Sequence, residues 1–248
     1  ALKDAEIPIP DDIMGDRPGK PDWAQNIQNW EPGPDGHPMR GKQRFDDAVR
    51  QYHEAVLALD EGVGKVIATL KESGQYDNTL VVYTADQGFA WGQHGFRHKQ
   101  APYDANIRAP LIVSMPSRIA SGTVVEKPVG GVDLVPTFYS FAGLEQPWEM
   151  HGHDLMPLLK DPQAEWEHPV LITFNARSYG SDTHTIPDGE DAYANGVPWY
   201  AFIRQGNYKY IQPLVEGEQD ELYDLSKDPE ELTNLAGNPE YSAIIEEY

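Results

Sequence analysis

Apolar residues recur at three- and four-residue steps in one long stretch, which places them on a single stripe of a helix. The stripe consists of Val49, Tyr52, Val56, Leu59, Val63, Val66, Ile67 and Leu70. Gly62 and Gly64 interrupt it, and we interpret them as sites of close packing against a neighbour. A Ser-Gly pair at 73–74 is a stop signal. The pattern predicts a helix from about Phe45 to Glu72.

Two short runs rich in β-branched residues follow, and neither alternates between apolar and polar positions. They are NTLVVYTAD at 78–86 and APLIVSM at 109–115. This pattern predicts strands covered on both faces, as in a parallel sheet. The run VDLVPTFYSFAG at 132–143 predicts a helix with Asp133 as its N-cap and Gly143 at its end. A short helix or turn is expected in the GHDLMPLLKDP segment that comes next.

The pattern changes after about residue 160. Strand-like runs occupy 169–174, 199–205 and 208–214, and the Gly206-Asn207 pair between the last two is typical of a tight hairpin. The segment ELYDLSKDPEELTNLA predicts a further strand and a capped helix. We expect an antiparallel sheet with a helix across it in residues 161–248, beside a larger α/β region in 1–160. Within the latter, the Pro- and Gly-rich residues 1–44 are expected to form a long surface loop.

Composition excludes several classes of protein. Forty acidic residues oppose nineteen basic ones, for a formal net charge of −21. Such a surface repels nucleic acid and anionic lipid. The chain contains no cysteine, which excludes disulfides, thiolate metal sites and a cysteine nucleophile within it. No apolar run approaches the ~18 residues that a membrane span requires.

The first candidate chemistry follows the strand predicted at 78–86. Asp86 lies at the carboxyl end of that run and Gln87 comes next, where open α/β sheets bind their ligands. A carboxylate and an amide carbonyl suit a hard cation such as Ca²⁺ or Mg²⁺. Two ligands are too few, so other segments would have to supply the rest. The alternative is a simple turn in which the aspartate caps the backbone.

A local excess of positive charge follows that pair. Between Gln87 and Arg108 the basic residues are Arg97, Lys99 and Arg108, accompanied by His94 and His98, and the only opposing acid is Asp104. This cluster is suited to a sulfate or phosphate group. An exposed loop with scattered bases is the alternative that composition leaves open.

The segments NTLVVYTADQG, GQHGFRHK and YDANIRAPLIVSMP resemble the second half of a type I sulfatase, in the alkaline phosphatase-like superfamily. The likeness continues through the helix before them and through VDLVPTFYSFAGLEQP, GHDLMPLL, NYKYI and ELYDLSKDPEELTNLA, about 200 residues in the expected order. It implies an α/β alkaline phosphatase-like sandwich. Residues 1–160 would hold part of its central, mostly parallel sheet with flanking helices, and residues 161–248 a small antiparallel sheet with a helix.

The resemblance also implies roles for particular residues. Asp86 and Gln87 match the pair that binds Ca²⁺, which is expected ahead of Mg²⁺. Lys99 matches the lysine that holds the sulfate group, and His94 is a candidate substrate contact near it. Arg97 and His98 match nothing in the family's pattern, and Arg108 is expected to pair structurally.

The same resemblance implies an activity, and it implies that the nucleophile for this activity lies outside the sequence seen here. Family members hydrolyse sulfate esters with a formylglycine nucleophile made from a Cys or Ser in a C/S-x-P-x-R motif, upstream of the portion seen here. The segment SMPSR, which contains Ser114, matches the serine form of this motif in sequence. It follows a strand, however, and the residues after Arg118 have poor helix character, whereas the family's nucleophile begins a helix. We therefore expect the nucleophile in an absent amino-terminal half, without which this piece would be inactive and unstable.

Alternatives and partners complete the expectations. A phosphodiesterase or phosphonate monoester hydrolase of the same superfamily shares the scaffold, and a non-catalytic Ca²⁺- or glycan-binding module is a third hypothesis.

The expected partners are a sulfated small molecule or carbohydrate and the amino-terminal half, with no nucleic acid and no membrane span. Arg177, His184 and Trp199, in the polar and aromatic segment 174–200, are candidate sugar contacts, against the alternative of an ordinary surface insertion. The acidity and the lack of cysteine suggest a periplasmic or secreted enzyme of polysaccharide degradation.

Overall fold

The computed structural model describes residues 2–248, and its amino-terminal segment is more ordered than a surface loop. It contains helix α1 (Asp22–Gln25) and a three-stranded antiparallel sheet of β1 (Glu31–Pro32), β2 (Pro38–Arg40) and β3 (Gln43–Arg44). Five of its apolar residues are buried, namely Ile13, Trp23, Ala24, Ile27 and Trp30. The prediction of a surface loop was therefore wrong, because spaced single apolar residues anchor this segment without any periodic pattern.

The long helix has the predicted limits. Helix α2 runs from Phe45 to Glu72, and its first turn buries Phe45, Ala48 and Val49 against Ile13 and Trp30. Most of the predicted stripe beyond that turn is exposed, and Leu59 and Val66 keep 49% and 58% of their surface accessible. A Cβ atom added at Gly62 or Gly64 would meet nothing among residues 2–248, so the neighbour expected at these glycines is not in this part of the molecule.

The two β-branched runs form the two predicted strands. Strand β4 (Val81–Thr84) pairs with β5 (Leu111–Ser114) in an antiparallel ladder that places Tyr83 opposite Ile112. Ile112 is 61% exposed, so the strands are not covered on both faces by residues 2–248. These two strands are antiparallel to each other, which the sequence could not indicate, since residue type reports burial and not strand direction. Helix α3 (Asp104–Ile107) precedes β5.

Asp133 stabilises the next helix differently from the predicted N-cap. Helix α4 (Leu134–Ala142) continues from a 3₁₀ turn over Gly131–Asp133, so Asp133 already has helical backbone angles. Its carboxylate accepts hydrogen bonds from the backbone N–H groups of Gly130 at 2.7 Å and His153 at 2.8 Å. Gly143 ends the helix with φ +67°, as predicted. Helix α5 (Met156–Lys160) follows.

The expected carboxyl-terminal sheet is present. Its antiparallel strands are β6 (Val170–Phe174), β9 (Tyr200–Gln205), β10 (Tyr208–Pro213) and β11 (Glu221–Asp224), in the order β11-β10-β9-β6, and a small hairpin of β7 (Tyr193–Ala194) and β8 (Val197–Pro198) precedes β9. Gly206, with φ +55°, forms the predicted tight turn between β9 and β10.

The helix predicted after β11 is absent, and residues 225–238 contain turns and irregular segments instead. Glu231 has φ +55°, a left-handed conformation that interrupts any helix there, and it directs its carboxylate inward to Lys209. The final helix, α6 (Ser242–Glu247), lies further along the chain. Tyr248 donates a hydrogen bond from its hydroxyl to the carbonyl oxygen of Gln205, which holds this end against the sheet.

The larger apolar core crosses the predicted boundary at residue 160. It contains side chains from the amino-terminal segment, from the loop after β4 and from the carboxyl-terminal sheet: Trp23, Ala24, Ile27, Ala90, Phe96, Ala101, Tyr103, Val197, Tyr200, Phe202, Ile211 and Tyr223. The division into 1–160 and 161–248 stays a prediction, and the two parts share this core. In residues 2–248, no helix combines the length and the apolarity that crossing a bilayer demands.

Candidate active site

The turn after β4 presents the predicted metal ligands to solvent. Asp86 keeps 80% of its side chain exposed, and Gln87 is half-buried. The next residue must be small, because a Cβ atom at Gly88 would lie 2.9 Å from both the backbone nitrogen and the carbonyl oxygen of Arg108. This close approach holds the turn against the end of α3.

Lys99 reaches the same place from the other side of the loop. Its ammonium lies 2.7 Å from each carboxylate oxygen of Asp86 and keeps 39% of its side chain exposed. The hydrogen bond from Lys99 and the charge of its ammonium lower the pKa of Asp86. The structure therefore brings together the residues predicted to hold a cation and an anion, although they are 13 positions apart in the sequence.

Backbone contacts from distant elements position the segment that carries Lys99. The Asn106 amide donates to the carbonyl oxygen of His98 at 2.8 Å, and the Tyr200 hydroxyl donates to that of Gln100 at 2.7 Å. Asn195, in the β7–β8 turn, donates to the Gln100 side chain at 2.8 Å. Gln100 itself has φ +88°, a conformation that non-glycine residues rarely adopt. These contacts were not predicted from the sequence. The Asn-Gly pair at 195–196, which is typical of a tight turn, is the one local pattern that could have drawn attention to Asn195.

His94 lies under the site and not in it. Only 2% of its surface is exposed, its Nδ1 atom is 2.7 Å from a carboxylate oxygen of Asp12, and its backbone N–H donates to the other at 3.0 Å. Burial and the nearby charge of Lys20 lower the pKa of His94, which favours a neutral ring at pH 7. The predicted contact with a substrate stays a prediction, but the geometry favours a structural role in holding the loop to Asp12.

A buried ionic cluster ties this region to the carboxyl-terminal sheet. The ammonium of Lys209, whose side chain is 0% exposed, lies 2.6 Å from Asp104 and 2.6 Å from Glu231. Glu231 also accepts a hydrogen bond from the backbone N–H of Asp104 at 2.6 Å. Nearby, Lys20 donates to the Tyr223 hydroxyl at 2.8 Å. The sequence showed Asp104 as a lone acid among bases, but its partners are about 100 residues away.

The surroundings of Trp199 and Ser114 decide two further candidate roles, a sugar contact and the nucleophile. Trp199 is fully buried and cannot contact a sugar, whereas Arg177 and His184 are exposed. Ser114 is the last residue of β5, and no helix begins after it before the turn at Gly131. It therefore lacks the helix N-terminus expected for the nucleophile, in agreement with its rejection from sequence.

Asp86 and Gln87 offer the oxygen ligands that Ca²⁺ prefers, and they would supply two of its 6–8 ligands. Among residues 2–248 there is no group of three or more His, Cys, Asp or Glu side chains placed to hold a metal ion. Asp86 is exposed and its carboxylate contacts Lys99, which suits a partial site. Its remaining ligands would have to come from outside these residues.

Comparison with known proteins identifies the family. A sequence model of the sulfatase family matches residues 16–144, and a model described as N-sulphoglucosamine sulphohydrolase, C-terminal, matches residues 92–248. N-acetylglucosamine-6-O-sulfatase of Bacteroides thetaiotaomicron is 31% identical over 227 residues, which cover 89% of this chain and 38% of that protein. The chain thus spans less than half the length of this relative.

Solved structures agree with this relationship. A complex of an enzyme with its substrate D-glucosamine-2-N,6-O-disulfate superposes with a TM-score of 0.70 at 32% identity, covering 82% of this chain and 39% of that one. The phosphonate monoester hydrolase of Agrobacterium radiobacter superposes with a TM-score of 0.62 at 28% identity, over 76% of this chain and 37% of its own. The alkaline phosphatase-like α/β fold expected from the sequence is confirmed. The chain belongs to the sulfatase family, and it corresponds to the carboxyl-terminal part of that fold.

Proposed function

We propose that this chain is part of an enzyme that hydrolyses sulfate esters of a carbohydrate. The observation that carries the proposal is the contact between Lys99 and Asp86, at 2.7 Å, on the turn that follows β4. An ammonium has three donors, and the carboxylate of Asp86 accepts from two of them. Lys99 is partly exposed, so its remaining donor is available to an oxygen of the substrate's sulfate group.

The roles of the site residues follow from their chemistry. Lys99 binds and orients the sulfate group and neutralises its charge as the ester bond breaks. Asp86 and Gln87 would hold a divalent cation, Ca²⁺ ahead of Mg²⁺, which supplies Lewis-acid polarisation of the sulfate oxygens. Tyr200 and Asn195, through Gln100, keep Lys99 in place. The formylglycine nucleophile is proposed to lie in an amino-terminal part of the complete protein.

The class of substrate is proposed from the relatives. The Bacteroides relative is named N-acetylglucosamine-6-O-sulfatase, and the solved complex contains a glucosamine disulfate. Arg177 and His184 remain candidates for contacts with the sugar. The acidic composition supports a periplasmic or secreted location, which fractionation of the producing cells would test.

Exposed apolar side chains support the proposed amino-terminal partner. Examples on four elements are Leu59 and Val66 on α2, Ile112 on β5, Phe138 on α4 and Leu171 on β6. Large exposed apolar areas mark interaction surfaces. We propose that the amino-terminal part of the complete protein covers them. Residues 1–248 expressed alone should then aggregate or bind a hydrophobic dye and show no turnover, whereas a soluble, dye-free and active fragment would contradict the proposal.

Substitution of Lys99 in the complete protein tests the function. We expect Lys99→Ala to lower kcat/KM for a sulfated glucosamine by about 10² to 10³, the size of losing one preorganised charge contact in a transition state. Lys99→Arg should retain part of the activity, and Lys127→Ala, at an exposed position, should change nothing. Chelation should abolish turnover reversibly. Unchanged kinetics in Lys99→Ala would refute the assignment.

Phosphonate monoester hydrolysis is the second candidate, because the Agrobacterium hydrolase shares the fold at a TM-score of 0.62. Parallel assays of the complete protein with a sulfate monoester and a phosphonate monoester distinguish the two. A higher kcat/KM for the phosphonate ester would favour this candidate over the sulfatase. Binding of sulfated sugars without any turnover would instead favour the non-catalytic module.

A further inference from the structure

Two arginines, one of them in the loop that carries Lys99, have no acidic partner among residues 2–248. Arg40 ends strand β2, and Arg97 lies in the loop that carries Lys99. Among residues 2–248, no carboxylate forms an ion pair with either guanidinium. Neither residue has a role implied by the resemblance to the sulfatases.

The two guanidinium groups act on each other. Burial lowers the pKa of Arg97, and the nearby charge of Arg40 lowers it further. The Nε atom of Arg97 is buried and has no hydrogen-bond partner among the described residues. An unpaired buried donor beside a like charge is unfavourable unless an anion joins them. A negatively charged ligand would supply the missing partner.

The surroundings hold these groups in place for such a ligand. The guanidinium of Arg97 lies 5.3 Å from the centre of the Trp91 ring, and its backbone N–H donates to the Asn29 side chain at 2.9 Å. Arg40 and Asn29 line one open pocket of about 280 Å³. Glu31 also lines it, but is exposed and pairs with neither arginine.

The position relative to Lys99 determines which anion would be bound. Arg97 and Lys99 are two residues apart, so their Cα atoms are separated by at most about 7 Å. A ligand whose sulfate contacts Lys99 would have to carry a second charged group over about this distance to meet Arg97. Guanidinium groups suit this task because they bind sulfate-like oxygens with paired N–H donors.

We propose that Arg40 and Arg97 form a second anion subsite, which binds an additional sulfate group of a multiply sulfated saccharide. The subsite rests on the proposed function, because it lies beside the Lys99 site and selects among its substrates. It makes the enzyme prefer a disulfated sugar to the monosulfated sugar that has only the ester to be cleaved.

The test compares a disulfated and a monosulfated glucosamine as substrates of the complete protein. We expect Arg97→Gln and Arg40→Gln each to lower kcat/KM for the disulfated sugar about tenfold or more, the effect of losing one charge-assisted hydrogen bond. Values for the monosulfated sugar should stay within about twofold. Glu31→Gln should favour the disulfated sugar. The matched control is Arg118→Gln, since Arg118 donates instead to the carbonyl oxygen of Phe141.

Binding measurements separate failure of the subsite from failure of the proposed function. Calorimetry with the same two sugars reports affinity whether or not the protein turns them over. Tighter binding of the disulfated sugar that Arg97→Gln removes upholds the subsite, even without hydrolysis. Equal losses for both sugars, or no loss for either, would overturn the subsite and leave the sulfatase proposal standing if turnover persists.

Discussion

Lys209 offers the sharpest test of how the site region is held together. Its side chain is fully buried on β10, and its ammonium lies 2.6 Å from carboxylate oxygens of both Asp104 and Glu231. Asp104 begins α3, five residues after Lys99, and Glu231 belongs to the carboxyl-terminal turns. Lys209→Met keeps most of the apolar stem but removes the charge that both carboxylates share.

The expected loss follows from what the carboxylates retain. Removing one partner of a buried ion pair costs about 3–5 kcal/mol, because the remaining charge stays desolvated. Here Arg204 still lies 3.3 Å from Asp104, and the Asp104 backbone N–H still donates to Glu231. We therefore expect the lower end, about 3 kcal/mol. In 248 residues this would lower Tm by about 6–12 °C, and the fall is smaller in the complete protein, because the relatives are more than twice as long as this chain.

Thermal and urea unfolding of the complete protein, followed by circular dichroism at neutral pH, would measure this loss. The control is Lys227→Met, because Lys227 pairs with Asp224 at 2.8 Å but is 73% exposed. Solvent screens the exposed ammonium of Lys227, so its loss should cost much less than the loss of the buried Lys209. Adding Glu231→Gln to Lys209→Met should recover part of the loss. The reasoning fails if Lys209→Met shifts the midpoint no more than Lys227→Met does.

Three further predictions concern other residues that hold the candidate active site in place. Burial lowers the pKa of Lys20 to about 8 from 10.5, so the unfolded chain binds more protons between pH 8 and 10. The free energy of unfolding should therefore rise by about 2–3 kcal/mol across that window in urea titrations, and Lys20→Met should remove the rise. Gly88→Ala should cost about 1–3 kcal/mol in the same titrations and weaken metal binding in calorimetry, because its Cβ atom meets the Arg108 backbone. The control Gly237→Ala, with open space around it, should be neutral. Tyr200→Phe removes the hydrogen bond to the Gln100 carbonyl oxygen. It should lower the free energy of unfolding in urea by about 1 kcal/mol and should also lower kcat/KM. A loss of stability without a kinetic effect would contradict the positioning role of Tyr200.

Features decided by neighbours in sequence were predicted well. Helix α2 has the limits that its apolar spacing and Ser-Gly stop indicated, and Gly206-Asn207 forms the expected turn. In both cases the determining residues lie within a few positions of the element they determine. The adjacency of Asp86 and Lys99, implied by the family resemblance, also appears in the structure.

Features decided by distant partners were not predictable. The segment after β11 has a helical pattern, yet Glu231 leaves helical geometry to place its carboxylate on Lys209. The partner of β4 is β5, and residue types cannot show that the pairing is antiparallel. Likewise, His94 is buried against Asp12, which lies 82 positions earlier in the chain. Each failure involves a contact whose other half is far away in the sequence.

These distant contacts make the carboxyl-terminal sheet part of the site's frame. Tyr200 fixes the residue after Lys99, and Lys209 and Glu231 fix Asp104 a few residues later. The aromatic core continues the same connection from Trp23 through Tyr103 to Tyr223. A boundary drawn at residue 160 from the change in pattern therefore separates elements that position one ammonium group. Because the sheet holds the segment that directly follows Lys99, substitutions within it should alter how the sulfate group is held without touching the substrate.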